Sequence, residues 1–240
     1  MNTYRRIILG ALVGLAALST AAGVATARSA ASAIPKPSDF SARVDNPWFP
    51  LKPGTTYVYT GVRDGQPARD VLTVTHQTAM IDGVPCVVIQ DRLYVRGRLH
   101  ERTTDWYTQD KAGNVWYFGE TTAEFDKNGR VTSTSGTWKA GVDGAIPGIY
   151  MFANPKVGQS ARQEFYKGEA EDHFQVLSLH ASVKVPYVKS AQALLTKEWT
   201  PLEPSVIDHK LYVRGIGTVL EEAVKGSDER FELISVTKSP

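Results

Sequence analysis

The chain has 240 residues, with 27 Lys and Arg against 25 Asp and Glu and a formal net charge of +2. That balance leaves no electrostatic footprint for nucleic acid or for anionic lipid surfaces. A single cysteine, Cys86, excludes an internal disulfide, so the fold must rest on its core alone.

The chain opens on a secretory pattern. Arg5 and Arg6 form a short basic segment, residues 7–25 are free of charge and apolar, and Ala25-Thr26-Ala27 offers small residues at both positions of a cleavage site. An apolar run of this length could also anchor in a bilayer, but Gly, Ser and Thr dilute its end, which favours cleavage and no membrane span thereafter. Ala31-Ser32-Ala33 is a second acceptable site. No Cys lies there to take a lipid, and Tyr4 stands where a twin-arginine signal wants Ser or Thr. Cleavage after Ala27 leaves 25 basic and 25 acidic residues, a formal charge of zero.

Three segments are expected: a signal peptide over 1–27, a flexible Ala-, Ser- and Pro-rich lead-in over 28–46, and one domain over 47–240. In the domain, Pro47 and Pro50 hold Asn46-Pro47-Trp48-Phe49-Pro50-Leu51 extended, and its aromatics plug one end. Strand-like runs come next at 55–59, 71–76, 84–95, 98–109, 114–126 and 130–138. Their turns fall at Asp64-Gly65, Asp82-Gly83, Asp110 to Gly113 and Asn128-Gly129. A Gly- and Pro-rich loop over 141–148 precedes further runs at 149–152, 160–166, 172–185, 193–199, 209–213, 218–224 and 229–236. No helical stripe occurs beyond one turn at 192–197. The pattern predicts an all-β domain, a single antiparallel meander curled into a barrel or a sandwich. Leu93-Tyr94-Val95-Arg96-Gly97 echoes Leu211-Tyr212-Val213-Arg214-Gly215 and raises the question of two related halves. Cys86, within an apolar run, reads as a small buried hydrophobe.

Two groups of residues could carry function. A four-residue loop at 110–113 would pair Tyr107 with Trp116 and Trp106 with Tyr117, on opposite faces of the sheet. One pair would be core. The other would pack under a loop or form an aromatic platform for a glycan or apolar ligand. Trp116→Ala would then weaken binding without unfolding the domain. The second group is Glu164, Glu169, Glu171, Asp172 and His173. Alternation would put Glu169, Glu171 and His173 on one strand face, where they could hold a divalent metal or act as an acid–base pair. A solvated face balanced by Arg162 and Lys167 is the plainer reading. No nucleophile elbow, P-loop, dinucleotide fingerprint or zinc motif is present.

Several strings occur together: Asn46 to Leu51 with Tyr57-Val58-Tyr59, then Asp105-Trp106-Tyr107 with Gly113-Asn114-Val115-Trp116-Tyr117-Phe118-Gly119-Glu120. Tyr166 to Asp172, Trp199 to Pro204 and Tyr212 to Gly217 complete the set. They resemble a group of exported, strand-rich bacterial proteins. The resemblance implies a secreted, strand-rich domain and no particular activity. The leading expectation is non-enzymatic binding of an apolar or glycan ligand. The alternatives are a metal-assisted hydrolase and an envelope surface-interaction protein.

Overall fold

The computed structural model describes residues 34–239. The secretory segment and both cleavage sites lie outside them. A 3-10 turn at Pro37–Asp39 leads into sixteen strands and, among the described residues, no α-helix. The first eight are β1 (Phe40–Ser41), β2 (Thr55–Arg63), β3 (Gln66–Ile81), β4 (Val84–Val95), β5 (Arg98–Asp110), β6 (Val115–Phe125), β7 (Val131–Ser133) and β8 (Trp138–Lys139). The rest are β9 (Ile146–Met151), β10 (Ser160–Arg162), β11 (Glu164–Phe165), β12 (His173–Lys184), β13 (Lys189–Trp199), β14 (Ile207–Val213), β15 (Gly217–Lys225) and β16 (Arg230–Lys238).

From β2 the ladder runs one way through β3, β4, β5, β6 and β9 to β11, and the other way through β16, β15, β14, β13 and β12 to β10. The two ends of this path, β10 and β11, are separated in the chain by Gln163 alone. The antiparallel sheet is therefore a barrel, closed but for a seam at Gln163. Closure decides between barrel and sandwich, and it protects the edges that an open meander would expose.

Turn chemistry sets most strand limits. Asp64-Gly65, Asp82-Gly83 and Arg96-Gly97 each place both residues at positive φ (50° and 66°, 48° and 74°, 50° and 73°), the backbone of a tight two-residue hairpin. The hairpin after β5 corrects an expectation. Asp110 stays in the strand, its N–H bonded to the Asn114 carbonyl, and Gly113 at φ 89° closes a shorter loop. Gln109 then faces Val115, and Tyr107 faces Tyr117. Residues 130–138 also do not form one strand: they split into β7 and β8, and Asn128-Gly129 lies in a longer loop. There Asp126 Oδ1 accepts from the backbone N–H groups of Asn128 and Arg130 (2.8 and 2.9 Å).

Residues 40–46, expected within the flexible lead-in, belong to the fold. β1 takes the end of β5 that β4 leaves unpaired, with Phe40 opposite Asp110. Asn46 organises the turn into the plug. Its Oδ1 accepts from the N–H of Trp48 (2.9 Å), and its Nδ2 donates to the carbonyls of Gly113 and Phe152 (2.9 and 3.1 Å). The anchored segment drives Phe49 into the barrel, where its ring lies 4.6 Å from Tyr150 and 5.5 Å from Tyr107. The echoed strings end alike in hairpins but face opposite ways. Leu93 shares a face with the lumen residue Asp91, whereas Tyr212, not Leu211, shares one with the lumen residue Lys210.

Gly148 of β9 sits where the Arg162–Gln163 backbone crosses it, and a β-carbon there would collide with the Arg162 carbonyl oxygen. Gly148→Ala is expected to lower stability by about 3 kcal/mol, the upper end of ordinary overpacking. Gly83→Ala, with nothing within 4 Å of the added carbon, costs only its turn strain. Urea denaturation of the two variants measures the difference; equal losses would contradict the closed seam.

Candidate functional site

Inward positions on the strands carry charge rather than a uniform apolar surface. Among the described residues, buried acids number seven, Asp110 on the outer face beside Trp116 and, within, Glu101, Asp105, Glu120, Glu164, Glu198 and Glu229, against two buried cations, Arg63 and Lys210. Each cation is a hub. Lys210 Nζ contacts Glu198 at 2.9 Å and Glu221 at 3.3 Å. Arg63 contacts Glu229 at 3.3 Å and Glu101 at 3.9 Å. Burial alone would lower the Lys210 ammonium, but Glu198 and Glu221 outweigh it and hold the ammonium well above its ordinary range. The surplus acids move the other way. Burial pushes Asp70 up to about 6, and Glu221 and Glu229 up to about 8 in spite of Lys210 and Arg63.

Two spaces are built on this frame. Beneath the Phe49-Pro50-Leu51 plug lies a cavity of about 80 Å³, walled by Tyr57, Tyr59, Tyr107 and Tyr150 with Asp70, Asp91, Asp105 and Glu221. The far ends of β2 through β7 enclose an open cleft of about 770 Å³. Val95, Leu99 and Phe125 give it apolar surface; Arg63, Arg96, Arg98, Lys127 and His100 mix with Asp64, Glu124 and Asp126 around it. Ligand sites usually occupy about 300–1,000 Å³. The cleft meets that size and the inner cavity holds only a few waters.

The four aromatic candidates do not form one platform. Tyr107 and Tyr117 face the lumen, stacked at 4.6 Å with 17° between planes, and Tyr117 Oη donates to Asp105 Oδ1 (2.7 Å). Trp106 and Trp116 point outward but are covered. Lys139 Nζ sits 4.9 Å over the Trp106 ring. Trp116 packs edge-on against Phe40 (5.7 Å), and its Nε1 donates to Asp110 Oδ2 (2.8 Å). The acidic group separates as well, because residues 167–172 are not a strand. Gly168 turns at φ 78° and donates its N–H to Glu171 Oε1 (2.8 Å), while Glu169 is held in the same turn by its backbone N–H to the Tyr166 carbonyl. His173 stacks outward on Trp199 (5.5 Å, 15°). Only Glu164 and Asp172 meet, in the lumen beside Gln163. Among the described residues, no group of three or more His, Cys, Asp and Glu is placed to hold a metal ion. Cys86 is fully buried, and burial pushes its thiol up to about 12.

Asp70, Asp91, Asp105, Glu198, Lys210 and Glu221 were not singled out in the sequence. The signal that could have found them is a strand apolar on neither face. In β5 the positions Glu101, Thr103 and Asp105 face inward like a solvated edge, yet all are buried.

No family model and no curated protein matches the chain. Among solved structures it is similar to a protein of Bacteroides fragilis NCTC 9343, described as exported with a YmcC-like fold. That pair shares 15% identity over 80% of this chain and 99% of the other, with a TM-score of 0.47. It is also similar to a protein of Parabacteroides distasonis ATCC 8503, described as a lipoprotein, at 10% identity over 79% and 98% of the two chains and a TM-score of 0.42. Among the described residues, no helix is long and apolar enough to cross a membrane.

Trp116→Ala is expected to cost about 3–5 kcal/mol, the range for a buried Trp, since Trp116 is 3% exposed. A small loss of thermal stability would contradict that placement. A second expectation concerns pH. An acid whose folded pKa is raised imposes no penalty below its unfolded value, 4.5 for Glu221 and Glu229, and erodes stability up to its folded value of about 8. The urea midpoint is therefore expected to fall across that window, and a midpoint that rises would contradict it.

Proposed function

We propose that the protein is exported and acts as a non-enzymatic binding protein, taking a glycan or a similarly mixed polar and apolar ligand in the cleft at the unplugged end of the barrel. The observation that carries this reading is the cleft itself: about 770 Å³, with apolar surface from Val95, Leu99 and Phe125 among charged and hydroxyl groups. The ring of Phe125 offers a face for sugar C–H groups, and Arg102 lies 5.5 Å over that ring. Gln66, Thr132 and Ser133 supply neutral hydrogen-bonding groups beside it. The charged rim argues against a purely apolar ligand, because burying unpaired charges would offset the gain from apolar contact. Export rests on the basic, apolar and small-residue pattern of residues 5–27.

The hydrolase reading fares worse on geometry. Glu164 and Asp172 come together, but the space they line is about 10 Å³, which admits a water and no substrate.

A panel of soluble oligosaccharides, titrated calorimetrically into the purified protein, tests the proposal. An oligosaccharide that binds is expected to lose about tenfold in affinity in Phe125→Ala, roughly 1.4 kcal/mol, and nothing in Trp106→Ala. Binding abolished by Tyr107→Phe yet indifferent to Phe125→Ala would place the site in the lumen and overturn the assignment to the cleft. No binding across the panel would overturn the glycan reading.

A further inference from the structure

The seam is the weakest course of the barrel. β10 pairs only with β12, over Ser160, Ala161 and Arg162. β11 pairs only with β9, over Glu164 and Phe165. One further backbone bond, from Gln163 N–H to the Asp172 carbonyl (2.7 Å), extends the β10–β12 pairing by one residue. By contrast, β2 and β3 pair continuously from Thr56 to Arg63.

Just inside the seam, side chains of these segments converge. Gln163 and Glu164 are 4% and 1% exposed. Gln163 Nε2, Glu164 Oε2 and Asp172 Oδ1 are all buried and make no hydrogen bond to protein. They line a cavity of about 10 Å³, close to the smallest that holds one water. One donor and two acceptors match what a single water can bridge, since it donates two hydrogen bonds and has lone pairs to accept from Gln163, and buried waters typically make about three such bonds. The Glu164 and Asp172 carboxyls also lie within hydrogen-bonding reach of each other.

We propose that one proton shared between Glu164 and Asp172, with a buried water completing the bridge, latches the barrel along this seam, and that loss of the proton loosens it. Two adjacent carboxylates out of contact with bulk water cannot both ionise cheaply. The Trp138 indole and the Thr200 hydroxyl relieve the pair in part, and Lys210 lowers Asp172, but burial and negative neighbours outweigh them. Glu120 of β6 and Glu198 of β13 add negative charge, while Tyr107, Tyr117 and Tyr150 are neutral hydroxyls held so by burial. Lys210 is the cation lining the same space, and it is already engaged by Glu198 and Glu221. Burial, and then neighbouring negative charge, raise both carboxyls well above their ordinary range. The latch is therefore intact at acid pH and is lost as pH rises through the folded-state values.

Hydrogen exchange measured by mass spectrometry, from about pH 6 to about pH 9 and corrected for intrinsic exchange, reads the seam directly. In the wild type, amides over 160–175 are expected to lose about tenfold in protection relative to those of β2 to β4. Glu221 and Glu229 titrate in the same window, and Glu164→Gln, which leaves both in place, separates their effect from that of the pair. In Glu164→Gln, whose amide keeps a donor at every pH, the ratio is expected to stay constant. Asp172→Asn serves the same purpose if Glu164→Gln does not fold. A constant ratio in the wild type, or an equal loss in wild type and variant, overturns the proposal.

Discussion

Charge enclosed by a closed wall governs this molecule. A buried carboxylate must be paired with a cation, hydrogen-bonded, or protonated, because the desolvation of an isolated charge exceeds what a small domain can tolerate. Among the described residues, six buried acids inside the wall, Asp110 on the outer face apart, stand against two buried cations, and only some can be paired. Glu198 shows the paired solution: it takes the Lys210 ammonium and accepts from the hydroxyls of Thr196 and Tyr212 (each 3.2 Å). Asp105 shows the hydrogen-bonded one, through Tyr117. Glu164 and Asp172, both raised by burial and neighbouring negative charge, fit the protonated one. The tyrosines of the lumen therefore contribute both apolar wall and hydroxyl donors, which Phe at the same positions could not.

Closure of the two ends obeys different physics. At one end, Asn46 fixes the chain by four side-chain contacts, and Phe49 completes an aromatic cluster with Tyr107, Tyr150 and Tyr212. The Pro47 carbonyl accepts from Gly215 N–H, tying the β14–β15 hairpin over the plug. The other end has no such segment among the described residues. Its rim is a set of hairpins with exposed, charged tips, and Arg63, paired with Glu101 and Glu229, lines the cleft. Loop-bounded mouths of rigid barrels are where ligands commonly bind, and among the described residues this mouth has no plug.

Strand positions were largely legible because local chemistry writes them. Asp-Gly turns and β-branched runs placed the limits of β2, β4 and β5 to within a few residues. The hairpin at 110–114 slipped by one, since Asp110 can serve as a turn residue or as a strand residue whose carboxylate holds Asn114 and Trp116. That slip moved Trp116 from a partner of Tyr107 to an outer-face residue under Phe40. Alternation over 169–173 failed for a related reason: Gly168 turns the chain before β12 begins. Closure itself was not legible. Pairing of β16 with β2 joins residues at opposite ends of the domain, and nothing in either strand names its partner. The acid lumen was hidden by the same fact, since an inward carboxylate and a solvated one look alike until the wall is closed.

Several lumen carboxyls are expected to carry protons at neutral pH, Glu221 and Glu229 with values raised to about 8 among them, because the barrel encloses too few cations to neutralise them all. Infrared spectroscopy of the folded protein in heavy water at about pH 7 detects such protons through the carbonyl band of protonated carboxyl groups, which is distinct from that of carboxylates. Ordinary side-chain acids, with unperturbed values near 4, give no such band there. The band is expected to be present in the folded protein, diminished in Glu164→Gln and absent after unfolding in urea. A folded protein whose acids are all ionised at that pH would contradict the protonated lumen.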